Sequence, residues 1–313
     1  MLQIQRILWP TDLSRGSGRA FPHAAALADW HDAELHILNV REQNESQPQE
    51  IGDGFPVSRG HLANLIDSVD QPSHPVDLDA LTLVQNRVDA PSASDAITSY
   101  STEEEIDLIV LGTHGRRGLQ RLLIGSVAED VLRTAPCPVL TVRAGDQVVP
   151  AWNVSNILAP VDFSEASKKA VLHAKELALT YGAQITLFHA VEEVMYPSAY
   201  GIEMADLPGT EIIERVEESL ADMARDEIGY EHVQVDSSIG YAPSAILNYV
   251  DTTDVDLIVI ATHGRSGLER LLLGSVTERV VRRVSTPVFV VKSFGKSLLP
   301  VHSEDDEKGH PST

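Results

Sequence analysis

Residues 112–127 read GTHGRRGLQRLLIGSV, and residues 261–276 read ATHGRSGLERLLLGSV. The second stretch follows the first after 149 positions, and four of the sixteen residues differ. Nearer the start of the chain, RILWPTDLS at residues 6–14 recurs as NILAPVDFS at residues 156–164, displaced by 150 positions. Because the displacement is nearly the same at both ends of the repeat, the sequence predicts two tandem copies of one domain.

Each copy alternates between two kinds of apolar pattern. In the second copy, short apolar runs at residues 157–161, 185–190 and 256–260 alternate with stretches of helical spacing at residues 166–181 and 210–228. Continuous apolar strands that alternate with helices are typical of a parallel sheet with helices on both faces. The predicted fold class is therefore α/β, with two tandem doubly wound domains that each contain a five-stranded parallel sheet.

The domain boundaries follow from the repeat and from local composition. We expect a first domain at residues 1–144, a linker at residues 145–154, and a second domain at residues 155–294. Residues 295–313 end in SEDDEKGHPST, and this polar, charged stretch predicts a disordered acidic tail. Residues 195–208 allow two interpretations, a lid over a ligand site of the second domain or an irregular surface loop, and the surface loop is favoured.

The charge balance limits the possible partners. The 313 residues include 46 Asp and Glu against 24 Lys and Arg, a formal net charge of −22. Such a chain repels nucleic acid and anionic membranes, so we expect neither as a partner. It also repels free phosphates at long range. Any phosphate site must therefore be built locally, from backbone N–H groups, helix N-termini and a few arginines.

Cysteine content and hydropathy indicate the compartment. Cys137 has no second cysteine with which to form an internal disulfide, which favours a reducing environment. The first residues, MLQIQRILWP, do not have the basic and apolar regions of a secretory signal. No stretch reaches the roughly 18 apolar residues that a membrane span requires. These features predict a soluble cytoplasmic protein.

The repeated motif places glycines where strands end. In the first half it reads Gly112-x2-Gly115-x9-Gly125-Ser126, beginning at the end of an apolar strand and finishing at a helix start. In open parallel sheets, ligands bind at this edge. Glycine permits close approach to the backbone, and the helix start offers N–H groups, a hydroxyl and a positive end to a phosphate. Arg116 and Arg117 add positive charge.

Packing alone is an alternative explanation for each of these residues. Glycines are common at junctions between strands and helices, and a Gly-Ser pair before a helix is an ordinary N-cap. The repetition of the spacing in both halves, in loops rather than in the core, favours a binding site. Neither a Walker A motif nor a G-x-G-x2-G motif after a strand is present.

These residues resemble the signature Gly-x2-Gly-x9-Gly-[Ser/Thr] of ATP-binding members of the universal stress protein family, in its tandem two-domain form. The first half matches the signature completely, and the resemblance covers about residues 1–144 and 155–294. It implies a Rossmann-like, adenine nucleotide alpha hydrolase-like fold. It also implies ATP as the bound nucleotide, with Mg²⁺ as a possible companion, and a function in stress response or signalling.

The resemblance assigns roles to individual residues. It implies that Asp12 and Asp162 contact adenine, and that the backbone at Val40 and Ala190 does so as well. It places ribose at Gly112 and the triphosphate along the remaining motif residues. The full set of expected nucleotide contacts is Pro10, Thr11, Asp12, Val40, Gly112, His114, Gly115, Arg116, Gly125, Ser126, Val127, Asp162, Ala190, Ala261, Gly264, Arg265, Gly274, Ser275 and Val276.

The second half departs from the signature at one position. Ala261 stands where the first glycine belongs, whereas Gly264, Gly274 and Ser275 match. The extra methyl group is expected to crowd the ribose. We therefore expect both domains to bind ATP, the second more weakly.

Three classes of function remain open at this point. The favoured one is an ATP-binding protein whose output is a change of conformation or assembly. A slow ATPase or autokinase is the second, for which Asp12, His114 and Arg116 are the candidate residues, although no Walker B or kinase loop is present. The third is a protein-interaction scaffold without nucleotide, and the intact glycines of the first half argue against it.

Assembly is expected through the last strand of each half. Residues 138–143 and 287–292 are short, apolar and suited to a sheet edge, where uncovered strands tend to associate. In the family these strands pair about a two-fold axis. The resemblance therefore implies an intramolecular pseudo-dimer of the two domains, with a homodimer and an unidentified signalling partner as further possibilities.

Overall fold

The computed structural model describes residues 2–42, 54–67, 76–113, 124–143, 154–192, 209–262 and 273–300. The first domain contains β1 (Arg6–Pro10), α1 (Arg15–Gly18), α2 (Phe21–His31), β2 (Glu34–Glu42), α3 (Arg59–Asp67), β3 (Leu83–Ala90), α4 (Ala93–Glu103), β4 (Leu108–Gly112), α5 (Ser126–Thr134) and β5 (Val139–Val142). The second contains β6 (Asn156–Pro160), α6 (Glu165–Tyr181), β7 (Gln184–Val191), α7 (Gly209–Met223) followed by a π-helical turn (Ala224–Ile228), β8 (Val233–Ile239), α8 (Ala242–Thr252), β9 (Leu257–Ala261), α9 (Ser275–Arg283) and β10 (Val288–Val291).

The described strands form one continuous sheet in the order β3-β2-β1-β4-β5-β10-β9-β6-β7-β8. Within each domain the five strands are parallel, as the apolar runs predicted. The two half-sheets join where β5 and β10 pair in antiparallel fashion, with Phe289 opposite Leu140. The pairing of the last strands that the resemblance implied is therefore present within one chain. These strands lie at the centre of the joined sheet, and β3 and β8 form its edges.

Apolar layers cover both faces of the sheet. Successive strand residues alternate between them, so that Ile7 and Trp9 face one layer and Leu8 faces the other. Each layer continues from one domain into the next, since Leu140 and Phe289 belong to the same cluster. Burial on both faces explains why the strand sequences are continuously apolar.

The helix after the first strand differs between the two domains. In the second domain α6 runs unbroken for 17 residues, whereas its counterpart divides into α1 and α2. Pro22 lies in the first turn of α2, where the missing N–H costs nothing and the ring cannot continue a preceding helix. Ser14 and Ser164 cap the two starts, each accepting a hydrogen bond from the N–H of the third residue beyond, at 3.2 Å.

The chain returns from β10 to the first domain through residues 293–300, here termed the C-terminal strap. The Lys296 N–H donates to Pro136 O at 2.8 Å, and the Gln3 N–H donates to Leu298 O at 2.8 Å. Leu298 is fully buried, and the Lys296 ammonium pairs with the Asp107 carboxylate. Packed contacts therefore extend beyond residue 294, the predicted end of the second domain.

Other segments singled out from the sequence lie outside the described residues. These are residues 145–153 of the predicted linker, residues 195–208, and residues 301–313 of the predicted tail. In the described part of the chain, no helix combines the length and the apolar character needed to cross a membrane.

Candidate functional site

The turn after the first strand of each domain holds an aspartate in a fixed orientation. Asp12 Oδ1 accepts hydrogen bonds from the Ser14 N–H at 3.0 Å and the Ser17 hydroxyl at 2.7 Å. Asp162 Oδ1 accepts from the Ser164 N–H at 3.0 Å and the Ser164 hydroxyl at 2.5 Å. Both carboxylates are half-buried at the carboxyl edge of the sheet. The repeat thus preserves the orientation of the side chain as well as its identity.

The residue after each aspartate has an uncommon backbone conformation. Leu13 has φ +62° and Phe163 has φ +61°, so both lie in the left-handed region. Occupying this region costs a residue with a bulky side chain about 1–2 kcal/mol. In the first domain the Leu13 N–H donates to the Thr11 hydroxyl at 3.0 Å. Backbone strain at the same point of both domains is characteristic of functional turns.

A polar side chain from the second strand supports each turn. Asn39 Nδ2 donates to Thr11 O at 2.8 Å, and His189 Nδ1 lies 2.6 Å from Val161 O. Since a carbonyl oxygen only accepts, Nδ1 of His189 carries the proton. Asn39 and His189 are separated by 150 positions, and each directly precedes a predicted adenine contact, Val40 or Ala190. The repeat alone does not single out these two residues, because their types differ, although the 150-residue displacement pairs them.

The register of the sheet leaves the backbone at Val40 open on one side. Pairing between β1 and β2 ends at Leu38, whereas pairing between β2 and β3 continues to Glu42. In the second domain, pairing between β6 and β7 ends at Phe188, and Ala190 occupies the corresponding place. Pro10 is buried at the end of β1, and Thr11 follows it. These residues therefore gather around the two aspartates at one edge of the sheet.

Gly112 lies against the turn that follows Asp12. A β-carbon at this position would come within 2.5 Å of Gly16 O and 3.1 Å of Ser17 Cα. Packing against the backbone therefore gives this glycine a role that needs no ligand, and its expected place beside the ribose stays a prediction. In the second domain Ala261 is buried at the end of β9, and Ala166 replaces Gly16. The contact also brings the end of β4 and the Asp12 turn together.

A hydrogen bond closes the base of each glycine-rich loop. The Gly125 N–H donates to Thr113 O, and the Gly274 N–H donates to Thr262 O, both at 2.7 Å. The loop between each pair therefore leaves and re-enters the fold at one point. The predicted contacts within these two loops, which lie outside the described residues, are His114, Gly115, Arg116, Gly264 and Arg265.

The helices that follow the loops point their N-termini at the same edge. Gly125 is the N-cap of α5 and Gly274 the N-cap of α9, neither with a capping side chain. Ser126 and Ser275 are exposed at the first helical position, while Val127 and Val276 are half-buried. The Gly125 N–H is already engaged by Thr113. The donors available at a helix start are therefore those of the first turn, which also carries the positive end of the helix dipole.

Two further glutamates occupy equivalent places near the sites. Glu42 Oε1 accepts from the Ala93 N–H at 3.0 Å, and Glu192 Oε1 accepts from the Ala242 N–H at 3.0 Å. Each caps the helix that follows the third strand of its domain. Among the described residues, no group of three His, Cys, Asp or Glu side chains is placed to hold a metal ion.

The first site has a cationic group beside it. Arg87 Nε donates to Asn39 Oδ1 at 2.9 Å, and its guanidinium carbon lies 4.8 Å from the centre of the Phe55 ring. The register pairs Arg87 with Asn39 and, in the second domain, Ser237 with His189. Ser237 donates to Glu217 Oε1 at 3.1 Å. The surroundings of the two aspartates therefore differ in charge.

Comparison with known proteins supports this architecture. The model of the universal stress protein family matches residues 3–143 and 153–292. A universal stress protein of Mycobacterium tuberculosis (strain ATCC 25618 / H37Rv) is 31% identical over 199 residues, covering 62% of this chain and 65% of the relative. The chain thus spans about two thirds of that relative's length. A second universal stress protein of the same strain is 29% identical over 234 residues, covering 71% of this chain and 77% of the relative.

The fold is also found in a solved structure. A universal stress protein from Archaeoglobus fulgidus superposes with a TM-score of 0.65 at 22% identity, covering 92% of this chain and 98% of the other. That likeness shows a shared architecture. Because the family model matches both halves of the chain, the protein belongs to the universal stress protein family, in a tandem two-domain form.

Proposed function

We propose that the chain binds ATP at the carboxyl edge of its sheet, with one site in each domain. The observation that carries the proposal is the duplicated arrangement of three parts at one edge. Each domain has an oriented aspartate, a loop closed by a backbone hydrogen bond, and a helix N-terminus. A duplicated architecture of this kind supports two sites of related chemistry.

The adenosine part of the nucleotide would lie against the strand ends. Asp12 and Asp162 offer carboxylate acceptors to the donor groups of adenine or ribose. The backbone at Val40 and Ala190, which passes beyond the paired part of the first strand, offers both a donor and an acceptor to the base edge. Pro10 and Thr11 form the floor of the first site, and Gly112 or Ala261 lies beside the sugar.

The phosphates would lie at the helix starts. N–H groups of the first turns of α5 and α9 face this edge, beside the exposed hydroxyls of Ser126 and Ser275. Arg116 and Arg265, in the loops, would supply the positive charge that a chain of net charge −22 otherwise opposes. Mg²⁺ usually keeps several water ligands and binds through substrate phosphates, so it would arrive with ATP rather than in a protein cage.

The biological output we propose is a nucleotide-dependent change of conformation or assembly in a cytoplasmic stress or signalling response. The sheet and both apolar layers continue across the domain boundary. A conformational change in one domain would therefore act on the other through packed contacts. Association of two chains into a homodimer, and a partner that responds to the occupied state, belong to the same proposal.

Nucleotide extraction from the freshly purified chain tests the proposal directly. Acid extraction and chromatography should yield adenine nucleotide, and calorimetric titration of the stripped protein with ATP and Mg²⁺ should give a first site tighter than the second. Asp12→Ala should weaken the tighter site by about tenfold or more, because a hydrogen-bonded charged group is worth about 1.5–3 kcal/mol.

A matched control separates binding from general damage. Asp254→Ala removes an exposed carboxylate at the opposite, amino-terminal end of β9 and should leave both affinities unchanged. A protein that contains no nucleotide and shows no heat on titration would contradict the proposal. It would leave the interaction scaffold as the better account.

A further inference from the structure

The C-termini of the two candidate phosphate-binding helices lie at the domain interface. Lys292, directly after β10 of the second domain, donates its Nζ hydrogens to Leu132 O at 2.5 Å and Arg133 O at 3.1 Å. Both carbonyls belong to the last turn of α5 in the first domain. The ammonium is almost completely buried, so these carbonyls replace the water that it has lost.

The reciprocal contact exists on the other side of the interface. Arg143, directly after β5 of the first domain, donates from Nη1 to Arg283 O at 2.7 Å and Val284 O at 3.3 Å. These carbonyls end α9 of the second domain. Arg143 and Lys292 are 149 positions apart, the displacement of the glycine motif, so they are equivalent residues of the repeat. Each domain therefore places one cation on the negative end of the other domain's helix.

The same backbone leads from each cation to the site of its own domain. Val291 O, next to Lys292, accepts from the Thr262 N–H at 2.9 Å, and Thr262 O holds the N-cap Gly274 of α9 at 2.7 Å. In the first domain, Val142 O accepts from the Thr113 N–H at 3.0 Å, and Thr113 O holds Gly125. The end of α5, Lys292 and the start of α9 are thus joined through hydrogen bonds and one short stretch of backbone.

We propose that Lys292 is a positioning residue for the nucleotide site of the first domain, that Arg143 is one for the site of the second, and that α5 and α9 thereby couple the two sites. The inference rests on the proposed function. A helix of nine residues is about 13 Å long, so a phosphate at its start and a cation at its end act on one short rigid body.

Both electrostatics and geometry support this role. The cation compensates the carbonyls of the last turn, and the opposite end of the same helix dipole faces the phosphate. Glu129 of α5 lies 3.7 Å from Arg282 of α9, which ties the helices together directly. Burial lowers the pKa of Lys292 to about 8, which reflects the cost of keeping a cation there. Coupling of this kind is reciprocal by thermodynamic necessity.

The test measures each site separately in the full chain. Asp162→Ala weakens the second site, so that titration with ATP and Mg²⁺ reports mainly the first, and Asp12→Ala weakens the first in the same way for reading the second. In these backgrounds, Lys292→Met should weaken the first site by about tenfold and change the second by less than about twofold. Arg143→Met should show the reverse pattern. Lys292→Arg should recover most of the affinity of the first site, because it restores the charge.

Lys296→Met is the matched control. Lys296 also reaches across the domain boundary, but to Asp107 and Glu105 O rather than to α5 or α9, so its loss should change neither affinity. The inference is supported if each substitution weakens the site of the other domain. General damage would instead weaken the site of the domain that carries the substituted residue.

Other outcomes overturn it. Equal weakening of both sites, weakening of the same-domain site, or no change in either variant would refute the positioning role while leaving ATP binding established. A wild-type chain that binds no ATP would refute the proposed function and this inference together. Arg143 is only partly buried, so Arg143→Met keeps the test decisive even if Lys292→Met fails to fold.

Discussion

Single residues at the carboxyl edge show which roles a sequence reveals. The family resemblance singled out Asp12 and Asp162, which recur in the repeat, and hydrogen bonds orient both carboxylates. The left-handed backbone at Leu13 and Phe163 was not predicted. Bulky residues rarely adopt this conformation, and no local sequence pattern indicates it. Asn39 and His189 were not predicted either. Both side chains hydrogen-bond to a backbone carbonyl of the turn, but one is an amide and the other an imidazole, so the repeat does not reveal the match.

Gly112 provides a test of packing against ligand binding. Gly112→Ala places a methyl group 2.5 Å from Gly16 O, a backbone atom that cannot rotate away. We expect the substitution to lower the free energy of unfolding by about 1–3 kcal/mol, the usual cost of overpacking. The measurement is denaturant unfolding of the nucleotide-free protein.

Ala261→Gly is the matched control, at the equivalent position of the second domain. It should cost no more than about 1 kcal/mol, since it removes one methyl group and adds backbone freedom. Equal, small effects of the two substitutions would mean that the turn at Gly16 gives way easily. The glycine would then be better explained by the nucleotide.

Two equivalent histidines predict a response to acid. Burial lowers the pKa of His23 and of His173 to about 4, because the charged ring loses water. An unfolded histidine takes up its proton at about pH 6.5, so the unfolded state binds more protons than the folded state between about pH 6.5 and 4. Above that range the two buried rings do not lower the free energy of unfolding. As pH falls through the range, the free energy of unfolding declines by roughly 3 kcal/mol for each histidine.

Melting temperatures between about pH 7 and 4 test this expectation. His23→Leu removes one titrating ring from the buried side of α2 and should make the decline shallower. His61→Leu, on an exposed position of α3, is the matched control for the loss of an imidazole ring. Parallel slopes for His23→Leu and the wild type would place the acid response elsewhere, in the carboxylates.

At the scale of elements, strands were the most predictable feature. Continuous apolar runs identified the buried parallel strands, because both of their faces need apolar side chains. Helix limits were less certain. Residues 210–228 read as one helix, but α7 ends at Met223 and a π-helical turn completes the stretch. The split between α1 and α2 has a local cause in Pro22, whereas the matching helix α6 has Leu172 there.

The packed position of the C-terminal strap could not be predicted from the sequence, for a physical reason. Residues 295–300 mix polar and apolar types without helical or strand periodicity, so nothing local distinguishes them from a free tail. Their position depends on partners distant in sequence. The Leu298 N–H donates to His173 Nε2 at 3.4 Å, and the Lys296 N–H donates to Pro136 O. Local sequence patterns do not predict tertiary contacts between residues that are distant in sequence.

At the scale of the whole molecule, the strap predicts how firmly the two domains are held together. Gly295 has φ +80°, and a β-carbon there would overlap Pro136 O. Gly295→Ala should therefore lift the strap, lower the melting temperature by several degrees, and speed hydrogen exchange at the Gln3 and Lys296 amides.

Gly60→Ala is the control for this substitution. Gly60 lies in α3, where a β-carbon would meet no atom within 4 Å and the backbone is helical, so alanine there should be neutral or slightly stabilising. Unchanged exchange at both strap amides in Gly295→Ala would show that the strap tolerates the clash and contributes little to domain docking.

The hydrogen bond between Gln3 and Leu298 also bears on evolution and engineering. Residue 3 and residue 298 lie side by side, so the first and the last described segments of the chain meet. A short bridge between these two points, with the chain opened between the domains, would produce a circular permutant in which the second domain precedes the first. The seam between β5 and β10 would be the same in that molecule. We expect that permutant to fold, and a melting temperature close to that of the parent chain would show that the fold does not impose the order of the two halves.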